Sequence, residues 1–265
     1  MNDSAPEVGG RIKGASAELR QKWFLDHVEK PANEIAEFLS GTSVSLTGAR
    51  VLDVGCGDGF IDLGVIRTFH PSLLVGTDLF PVDKEDLSQL SRTYLGSDLP
   101  DCLKFSECSE TVLPFPDASF DFVMSWSVFE HVSDPVAVLR EIRRVLRPGG
   151  YMFLQIWPLF HSQRGSHLWK WFPNGWEHLE KSLKELETDI VSQLSQTSEL
   201  LDSTLIDLTT LNRLTLDQLQ DSISAAGMNV CRVALQADTI DIPPSLLRYR
   251  LADLAVSGVK ILASC

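Results

Sequence analysis

The stretch Val51-Leu52-Asp53-Val54-Gly55-Cys56-Gly57-Asp58-Gly59-Phe60 decides the fold of this chain. Its first half is an apolar run interrupted by one acid, which is typical of a buried strand. Its second half is a turn with glycines at alternate positions. An amphipathic helix is predicted to follow over residues 61–69. Strand, glycine turn and helix together indicate a corner that binds nucleotide-like ligands, because backbone N–H groups at a helix start can approach a ligand closely.

The composition bounds the class of protein. The chain has 265 residues, 44% hydrophobic and 22% charged, which suits one α/β domain with an appendage. Its formal net charge of -13 disfavours nucleic acid and anionic lipid headgroups as partners, because an acidic surface repels phosphate. Residues 1–10 lack the apolar core of a signal peptide, and no apolar run approaches the roughly 18 residues of a membrane span.

The five cysteines show no regular spacing, so neither a disulfide framework nor a zinc pattern is predicted. They stand at Cys56, Cys102, Cys108, Cys231 and Cys265. Free thiols in a reducing compartment are the simplest account, so we expect a cytoplasmic protein without a membrane partner.

Short apolar strands alternate with helices along the chain. We predict strands over 49–54, 73–77, 103–106, 120–125, 151–156, 229–235 and 259–262. Helices are predicted over 61–69, 135–146, 216–226 and 246–255, with Asp134 and Thr215 as N-caps of the second and third. This alternation predicts a parallel, doubly wound α/β sheet.

Two segments lie before or within this alternation of strands and helices. Residues 18–40 have a helical pattern in which Pro31 is expected to begin a second helix, and these helices would either cover a sheet edge or close over a ligand. Four of the six tryptophans lie within residues 157–176, and an amphipathic helix is expected over 179–208. We therefore predict one domain over 1–265. It would comprise N-terminal helices (1–48), a cofactor-binding core (49–156), an acceptor-selecting insertion (157–208) and the remaining sheet (209–265).

The glycine spacing G-x-G-x-G is one residue tighter than the dinucleotide pattern, and it resembles motif I of the class I S-adenosylmethionine-dependent methyltransferases. Four later segments resemble motifs of the same family in the same order: Val75–Asp78, Leu113–Asp121, Phe129–Val132 and Leu146–Gly150. The best subgroup match is the type 11 family, of the ubiquinone-biosynthesis style. The resemblance covers about residues 45–156. It implies a mostly parallel, seven-stranded Rossmann-like sheet with a helical N-terminal segment and a helical insertion after the fifth strand.

The resemblance implies S-adenosyl-L-methionine as the cofactor, with S-adenosyl-L-homocysteine as its product. Backbone N–H groups of the turn would meet its methionyl end, at Gly55, Gly57 and Gly59. Asp53 would face the ammonium group or organise the turn. Asp78, nineteen residues after Gly59 (78 minus 59), would accept hydrogen bonds from the ribose hydroxyls, the alternative being a helix N-cap. Leu79 would pack on the adenine.

Several residues are candidates for contact with the adenine amino group and with the methionyl moiety. The family usually has an acid after the third strand, but here that stretch is about one residue longer, so Ser109, Glu110 or Cys108 could take the role. Ser125 and Trp126, at the end of the fourth strand, should lie beside the methionyl moiety. Trp126 is predicted to form a wall of the pocket, with a core aromatic as the alternative.

Methyl transfer to an alcohol also requires removal of a proton, for which a histidine is the usual base. His131 follows the fourth strand, while His161 and His167 follow the fifth, at the edge of the sheet where the cofactor is expected. His178 is further along the chain and is interpreted as structural, and Glu130 is an alternative base. A metal held by His161, His167 and nearby acids fits no recognised spacing, so no metal is predicted.

The sequence therefore predicts a methyltransferase that acts on a small molecule or glycan, through O-methylation of a sugar-like hydroxyl. Tryptophans in the insertion suit stacking on a sugar or planar ring, although burial against a helix or a partner subunit explains them equally well and leaves a homodimer open. N- or C-methylation of a small metabolite is the alternative, as is a cofactor-binding homologue without catalysis. The tight glycine spacing disfavours a nicotinamide-dependent oxidoreductase.

Overall fold

The computed structural model describes residues 16–169, 171–193 and 208–265. Its strands are β1 (Arg50–Val54), β2 (Leu73–Asp78), β3 (Leu103–Glu107), β4 (Phe120–Trp126), β5 (Leu146–Ile156), β6 (Asn229–Ala237) and β7 (Val256–Ser264). They form one sheet in the order β3-β2-β1-β4-β5-β7-β6. Strands β1 to β5 pair in parallel, whereas β7 runs antiparallel between β5 and β6. The predicted seven-stranded, mostly parallel sheet is confirmed.

Helices cover both faces of the sheet. They are α1 (Ala17–Leu39), α2 (Phe60–Phe69), α3 (Lys84–Leu90), α4 (Pro135–Val145), α5 (Glu177–Glu180), α6 (Leu183–Gln193), α7 (Leu216–Ala225) and α8 (Leu251–Ala255). A π-helical turn (Ser91–Leu95) extends α3, and a 3-10 turn (Pro244–Leu246) precedes α8. The predicted N-caps are confirmed, since Asp134 accepts from the N–H of Ala137, and Thr215 accepts from that of Gln218.

Two apolar layers result from this arrangement. One face of the sheet packs against α1, α2 and α3, and the other against α4 and α7. In β1, Val51 faces the first layer and Leu52 the second, as expected for a strand buried on both faces. The sheet is therefore doubly wound, as predicted.

The expected helix break at Pro31 is wrong, because α1 runs continuously through this residue. The proline removes one intrahelical hydrogen bond, at a cost of about 3 kcal/mol. Four side chains on both sides of it are at most 2% exposed: Phe24, Val28, Ala32 and Ile35. A Cβ at Gly64 would overlap the carbonyl oxygen of Val28, so the glycine lets α2 touch α1. Burial of these side chains, at about 1.5–3 kcal/mol for each large one, outweighs the lost bond.

The insertion after β5 builds a third apolar cluster, apart from the two layers, around Phe160, Leu168, Trp176, Leu186 and Ile190. Here the single helix expected over 179–208 is replaced, within the described residues, by α5 and α6. Ser182 lies between the two helices, directly before α6. Its N–H and its hydroxyl both donate to the side chain of Glu185, and this pair of hydrogen bonds favours the start of a new helix. Leu194, expected on the same helix, lies outside the described residues.

The last predicted helix is also shorter than expected. In place of a helix over 246–255, the chain has the 3-10 turn and then α8, separated by Leu247–Arg250.

Among the helices of the described ranges, none has the length and hydropathy needed to cross a bilayer.

Candidate active site

The glycine turn leaves the carboxyl end of β1 with its three glycines at φ values of 84°, 52° and 77°, for Gly55, Gly57 and Gly59. Side chains with a Cβ rarely adopt this region. A Cβ at Gly55 would lie 2.6 Å from Val128 Cγ1, so the segment after β4 packs directly on the turn. A Cβ at Gly57 would meet nothing within 4 Å. The turn is thus closed on the β4 side and open at Gly57, where a ligand can approach the backbone.

The turn is also tied to the end of β2. The N–H groups of Gly55 and Cys56 donate to the carbonyl oxygen of Thr77 at 2.7 and 3.1 Å. The half-buried carboxylate of Asp78 accepts from the N–H of Gly57 at 2.9 Å and from that of Phe80 at 3.3 Å. Asp78 is not a helix N-cap, because α3 is capped by Asp83.

Asp53 is paired with an acid that the sequence analysis did not single out. Asp53 is 1% exposed and lies beside Asp62 of α2, which is 0% exposed. Asp53 Oδ1 and both oxygens of Asp62 have no donor among the described residues. Burial raises the pKa of Asp62 to about 7, and burial together with Asp62 raises the pKa of Asp53 well above its usual range. The two carboxyl groups therefore share a proton beneath the turn.

The two residues predicted at the end of β4 point in different directions. Ser125 is fully buried, and its hydroxyl donates to the carbonyl oxygen of Val54 at 2.8 Å, which joins the ends of β1 and β4. Trp126 stacks on Phe153 with centroids 6.1 Å apart and belongs to the layer covered by α1. These contacts support the core interpretation of Trp126.

The residues predicted near the adenine lie at the carboxyl ends of β2 and β3. Leu79 is 48% exposed, and Ser109 and Glu110 are exposed. The N–H of Cys108 donates to the carbonyl oxygen of Asp78 at 2.9 Å, which places this stretch beside β2. Glu110 accepts from the hydroxyl of Ser133 at 3.3 Å.

The structure brings together two of the three predicted histidines. The rings of His131 and His167 meet edge to face with centroids 5.5 Å apart. Glu130 completes the group: the three side chains offer ligand atoms that all lie within 4.8 Å of one another. Burial lowers the pKa of His131, and burial followed by the charges of His131 and His178 lowers the pKa of His167 to about 3. Burial raises the pKa of Glu130 to about 8.

Two further histidines, His161 and His178, also lie within the insertion. His161 contacts Phe160 and Tyr249, with centroid distances of 5.3 and 5.6 Å. His178 Nε2 lies 2.6 Å from the carbonyl oxygen of Phe160. His178 is therefore a structural residue of the insertion, as interpreted from the sequence.

Asn212 holds the segment that carries Glu130 and His131. Its side-chain amide donates to the carbonyl oxygens of Phe129 and Val132 at 2.6 and 2.8 Å. Its backbone N–H donates to the carbonyl oxygen of Glu130 at 2.8 Å. The sequence analysis gave no role to this residue, and no local signal marks it, because Thr209, Thr210, Arg213 and Thr215 around it are also polar.

A cavity of about 280 Å³ lies where β5 and β6 end, lined among others by Trp157, Gln163 and Asp238. The ring of Trp157 contacts that of Trp169 at 5.7 Å, and Trp169 contacts His167 at the same distance. This row of rings connects the cavity wall with the histidine pair.

Comparison with known proteins shows the family to which this chain belongs. Residues 24–188, more than half of the chain, match the model of a methyltransferase domain family. The chain belongs to the class I S-adenosylmethionine-dependent methyltransferases. The class I family and the cofactor predicted from the five motifs are thereby confirmed, whereas the type 11 subgroup stays a prediction.

Curated relatives of this methyltransferase match over part of their length. The 27-O-demethylrifamycin SV methyltransferase of Amycolatopsis mediterranei is 32% identical over 52% of the chain and 49% of the relative. The ubiquinone biosynthesis O-methyltransferase of Paracidovorax citrulli is 32% identical over 58% of the chain and 64% of the relative. The chain thus spans about half to two thirds of the length of these relatives.

Solved structures agree in fold. The S-adenosylmethionine complex of geranyl diphosphate methyltransferase has a TM-score of 0.57 at 16% identity, and covers 96% of this chain and 92% of its own. A methyltransferase in complex with the Trm112 activator of Haloferax volcanii has a TM-score of 0.53 at 21% identity, with coverages of 92% and 96%. At these identities the likeness shows the fold alone.

Proposed function

We propose that this methyltransferase transfers a methyl group to a hydroxyl of a small molecule or glycan, with His131 as the base. One observation carries the proposal. Val128 packs on Gly55 of the glycine turn, and the N–H of His131 donates to the carbonyl oxygen of Val128 at 2.8 Å. The histidine pair is therefore held one short turn of chain from the predicted cofactor site.

The residues around the turn fit S-adenosylmethionine. The open side at Gly57 leaves room for the methionyl end of the cofactor to lie against the glycine backbone. Asp78 would hold the ribose hydroxyls, since each of its carboxylate oxygens can accept a second hydrogen bond. Leu79 would cover the adenine, with Ser109 or Glu110 at its amino group.

Asp53 has a different part in this proposal. Its shared proton with Asp62, beneath the turn, supports a role in organising the turn rather than in contacting the ammonium group. Ser125 would act similarly, by joining the ends of β1 and β4. When bound, the cofactor supplies a sulfonium methyl group for in-line displacement, so that alignment of the acceptor is the main task of the protein.

A hydroxyl acceptor must lose its proton during methylation. His131 is neutral at pH 7 because burial lowers its pKa, and a neutral imidazole can accept a proton. His167 is the weaker base, with a pKa of about 3. Glu130 retains its proton at pH 7, since its pKa is about 8. His161 packs on Phe160 and Tyr249 instead, which disfavours it as the base.

Two features support a hydroxyl on a polar acceptor. The cavity combines the aromatic wall of Trp157 with the polar side chains of Gln163 and Asp238, a combination that suits a polyhydroxylated ring. The names of the two curated relatives refer to an O-methyltransferase and to an O-demethylated substrate.

Labelled methyl transfer tests the proposal directly. The full chain is incubated with S-adenosylmethionine labelled in the methyl group and with matched panels of hydroxyl and amine acceptors. We expect label in hydroxyl acceptors, and a decrease of about 10²–10⁴-fold in turnover for His131→Ala, with a smaller effect for His161→Ala. Label in amines alone, cofactor binding without transfer, or full turnover by His131→Ala would each overturn the proposal.

A further inference from the structure

The group formed by Glu130, His131 and His167 has the donors of a metal site. Two imidazoles and one carboxylate offer ligand atoms within 4.8 Å of one another. Tetrahedral coordination with bonds of about 2.1 Å places ligand atoms roughly 3.4 Å apart. Rotations of the side chains that move these atoms by about 1 Å are therefore sufficient to close the site around an ion.

The buried atoms of this group lack partners. Glu130 is 3% exposed, and neither of its carboxyl oxygens has a donor within the described ranges. The same holds for His167 Nε2. Buried polar atoms without a hydrogen bond are rare and costly, so their presence on two neighbouring side chains of this group indicates a missing ligand. A cation bound between these side chains would supply a partner to both.

The surroundings orient these side chains. His131 Nδ1 lies 2.8 Å from the hydroxyl oxygen of Thr210. Asn212 fixes the backbone of residues 129–132 through three hydrogen bonds. Hydrogen bonds of this kind, which fix the ring orientation of a histidine ligand, are typical of metal sites.

We infer that Glu130, His131 and His167 bind a divalent transition-metal ion, with Zn²⁺ as the ion of best fit. Imidazole nitrogens favour Zn²⁺ and its neighbours over Mg²⁺ and Ca²⁺, which prefer sets of oxygen ligands. Three protein ligands leave one position open, as in zinc sites that act on a substrate. The sequence alone predicts no such site, because its ligands come from two segments whose meeting is decided by the fold of the insertion.

The inference rests on the proposed function in one respect, namely that the open position would take the acceptor hydroxyl. With the ion bound, the ring of His131 would be a ligand, and the ion would take over the part that the proposed function gives to His131 as the base. Coordination lowers the pKa of the acceptor hydroxyl, so its proton would pass to water. The acceptor oxygen would then bond to the methyl carbon as the bond between that carbon and sulfur breaks. His131→Ala would lower turnover through loss of the ion.

Metal binding is tested on the full chain, after treatment with a chelator and its removal. Co²⁺ is titrated as a spectroscopic probe through its visible d–d absorption, followed by displacement with Zn²⁺. We expect saturation at one ion per chain and at least about tenfold weaker binding in Glu130→Gln and His167→Asn. Asparagine is chosen because residue 167 has a φ of 63°, which asparagine tolerates.

Matched controls separate this site from other ligands. His161→Asn should bind Co²⁺ as the wild type does, and Cys231→Ser should also, which excludes the exposed thiol. Far-ultraviolet circular dichroism verifies that each variant is folded. Absence of saturable binding by the folded wild type, or undiminished binding by folded Glu130→Gln and His167→Asn, would overturn the metal site.

The two proposals fail in distinguishable ways. Binding of Co²⁺ at this group without methyl transfer to any hydroxyl leaves the metal site standing and sinks the proposed function. Methyl transfer that persists in the presence of a chelator, in a chain that binds no Co²⁺, contradicts the metal site and leaves the proposed function standing.

Discussion

The backbone N–H of Gly57 donates to a carboxylate oxygen of Asp78 at 2.9 Å. This bond links the turn after β1 to the end of β2, across two neighbouring parallel strands. The same carboxylate is the predicted acceptor for the ribose. One side chain would therefore shape the turn and also hold the ligand that the turn receives.

Replacement of Asp78 by alanine should weaken binding of S-adenosylhomocysteine more than tenfold, or by more than about 1.4 kcal/mol. The change removes both the charged acceptor and the anchor of the turn. Isothermal titration calorimetry measures the affinity. Asp98→Ala is the matched control, since Asp98 is an exposed aspartate paired with Arg92. Equal affinity in Asp78→Ala and the wild type would remove Asp78 from the cofactor site.

Gly55→Ala should destabilise the protein and weaken cofactor binding, because the new Cβ would lie 2.6 Å from Val128 Cγ1 at a φ of 84°. The double variant Gly55→Ala/Val128→Ala removes the clash with both Cγ atoms but keeps the backbone strain. We expect it to recover part of the loss, measured by urea unfolding as a coupling free energy in a double-mutant cycle. Purely additive effects would show that the contact between the turn and the segment after β4 does not matter.

The pair Asp53 and Asp62 should make stability depend on pH. Because both pKa values are raised, the folded state keeps a proton that the unfolded state releases above about pH 4. The contribution of the pair to the free energy of unfolding therefore falls as pH rises from about 4 through 7, by at most about 1.4 kcal/mol per pH unit for each proton.

Asp62→Asn tests this dependence, because its amide can donate to Asp53 without taking up a proton. Relative to the wild type, the variant should become progressively more stable in urea unfolding between pH 5 and pH 8. Asp101→Asn, at an exposed position, provides the control. Parallel stability profiles for Asp62→Asn and the wild type would contradict the shared proton.

Asn212→Asp should lower the free energy of unfolding by about 2–4 kcal/mol, since it keeps the shape of the side chain but removes two donors. The carbonyl oxygens of Phe129 and Val132 would then face a carboxylate. Chemical denaturation measures the effect, with the exposed Asn174→Asp as control. A loss no larger than that of the control would show that Asn212 does not hold the segment with Glu130 and His131.

Local patterns were sufficient to predict the seven strands, the two caps and the order of motifs, because each depends on residues within a few positions. The same patterns failed at Pro31, where contacts with α2 override the local cost of a proline. They also missed Asp62, although an acid within the apolar run from Ile61 to Ile66 is a visible anomaly. Its partner lies on another element.

The histidines show how far the candidate site can be predicted from the sequence. His161 and His167 both follow β5, and nothing in their neighbourhood indicates which one turns toward His131. The outcome depends on a left-handed residue at 167 and on Asn212, which bonds to a carbonyl oxygen 83 residues earlier. Pairings at this distance arise from the assembled fold and leave no periodic signal.

The position of β7 has a consequence for synthesis. A ribosome delivers β6 before residues 256–264, yet β7 supplies the pairing that β6 makes within the described part of the chain. A nascent chain that has extended through β6 therefore carries an unsatisfied edge on β5 and an unpaired strand, both prone to non-native association. This half of the sheet can close only after residues 256–264 have been synthesised, so until then the emerging chain exposes strand edges to which chaperones can bind.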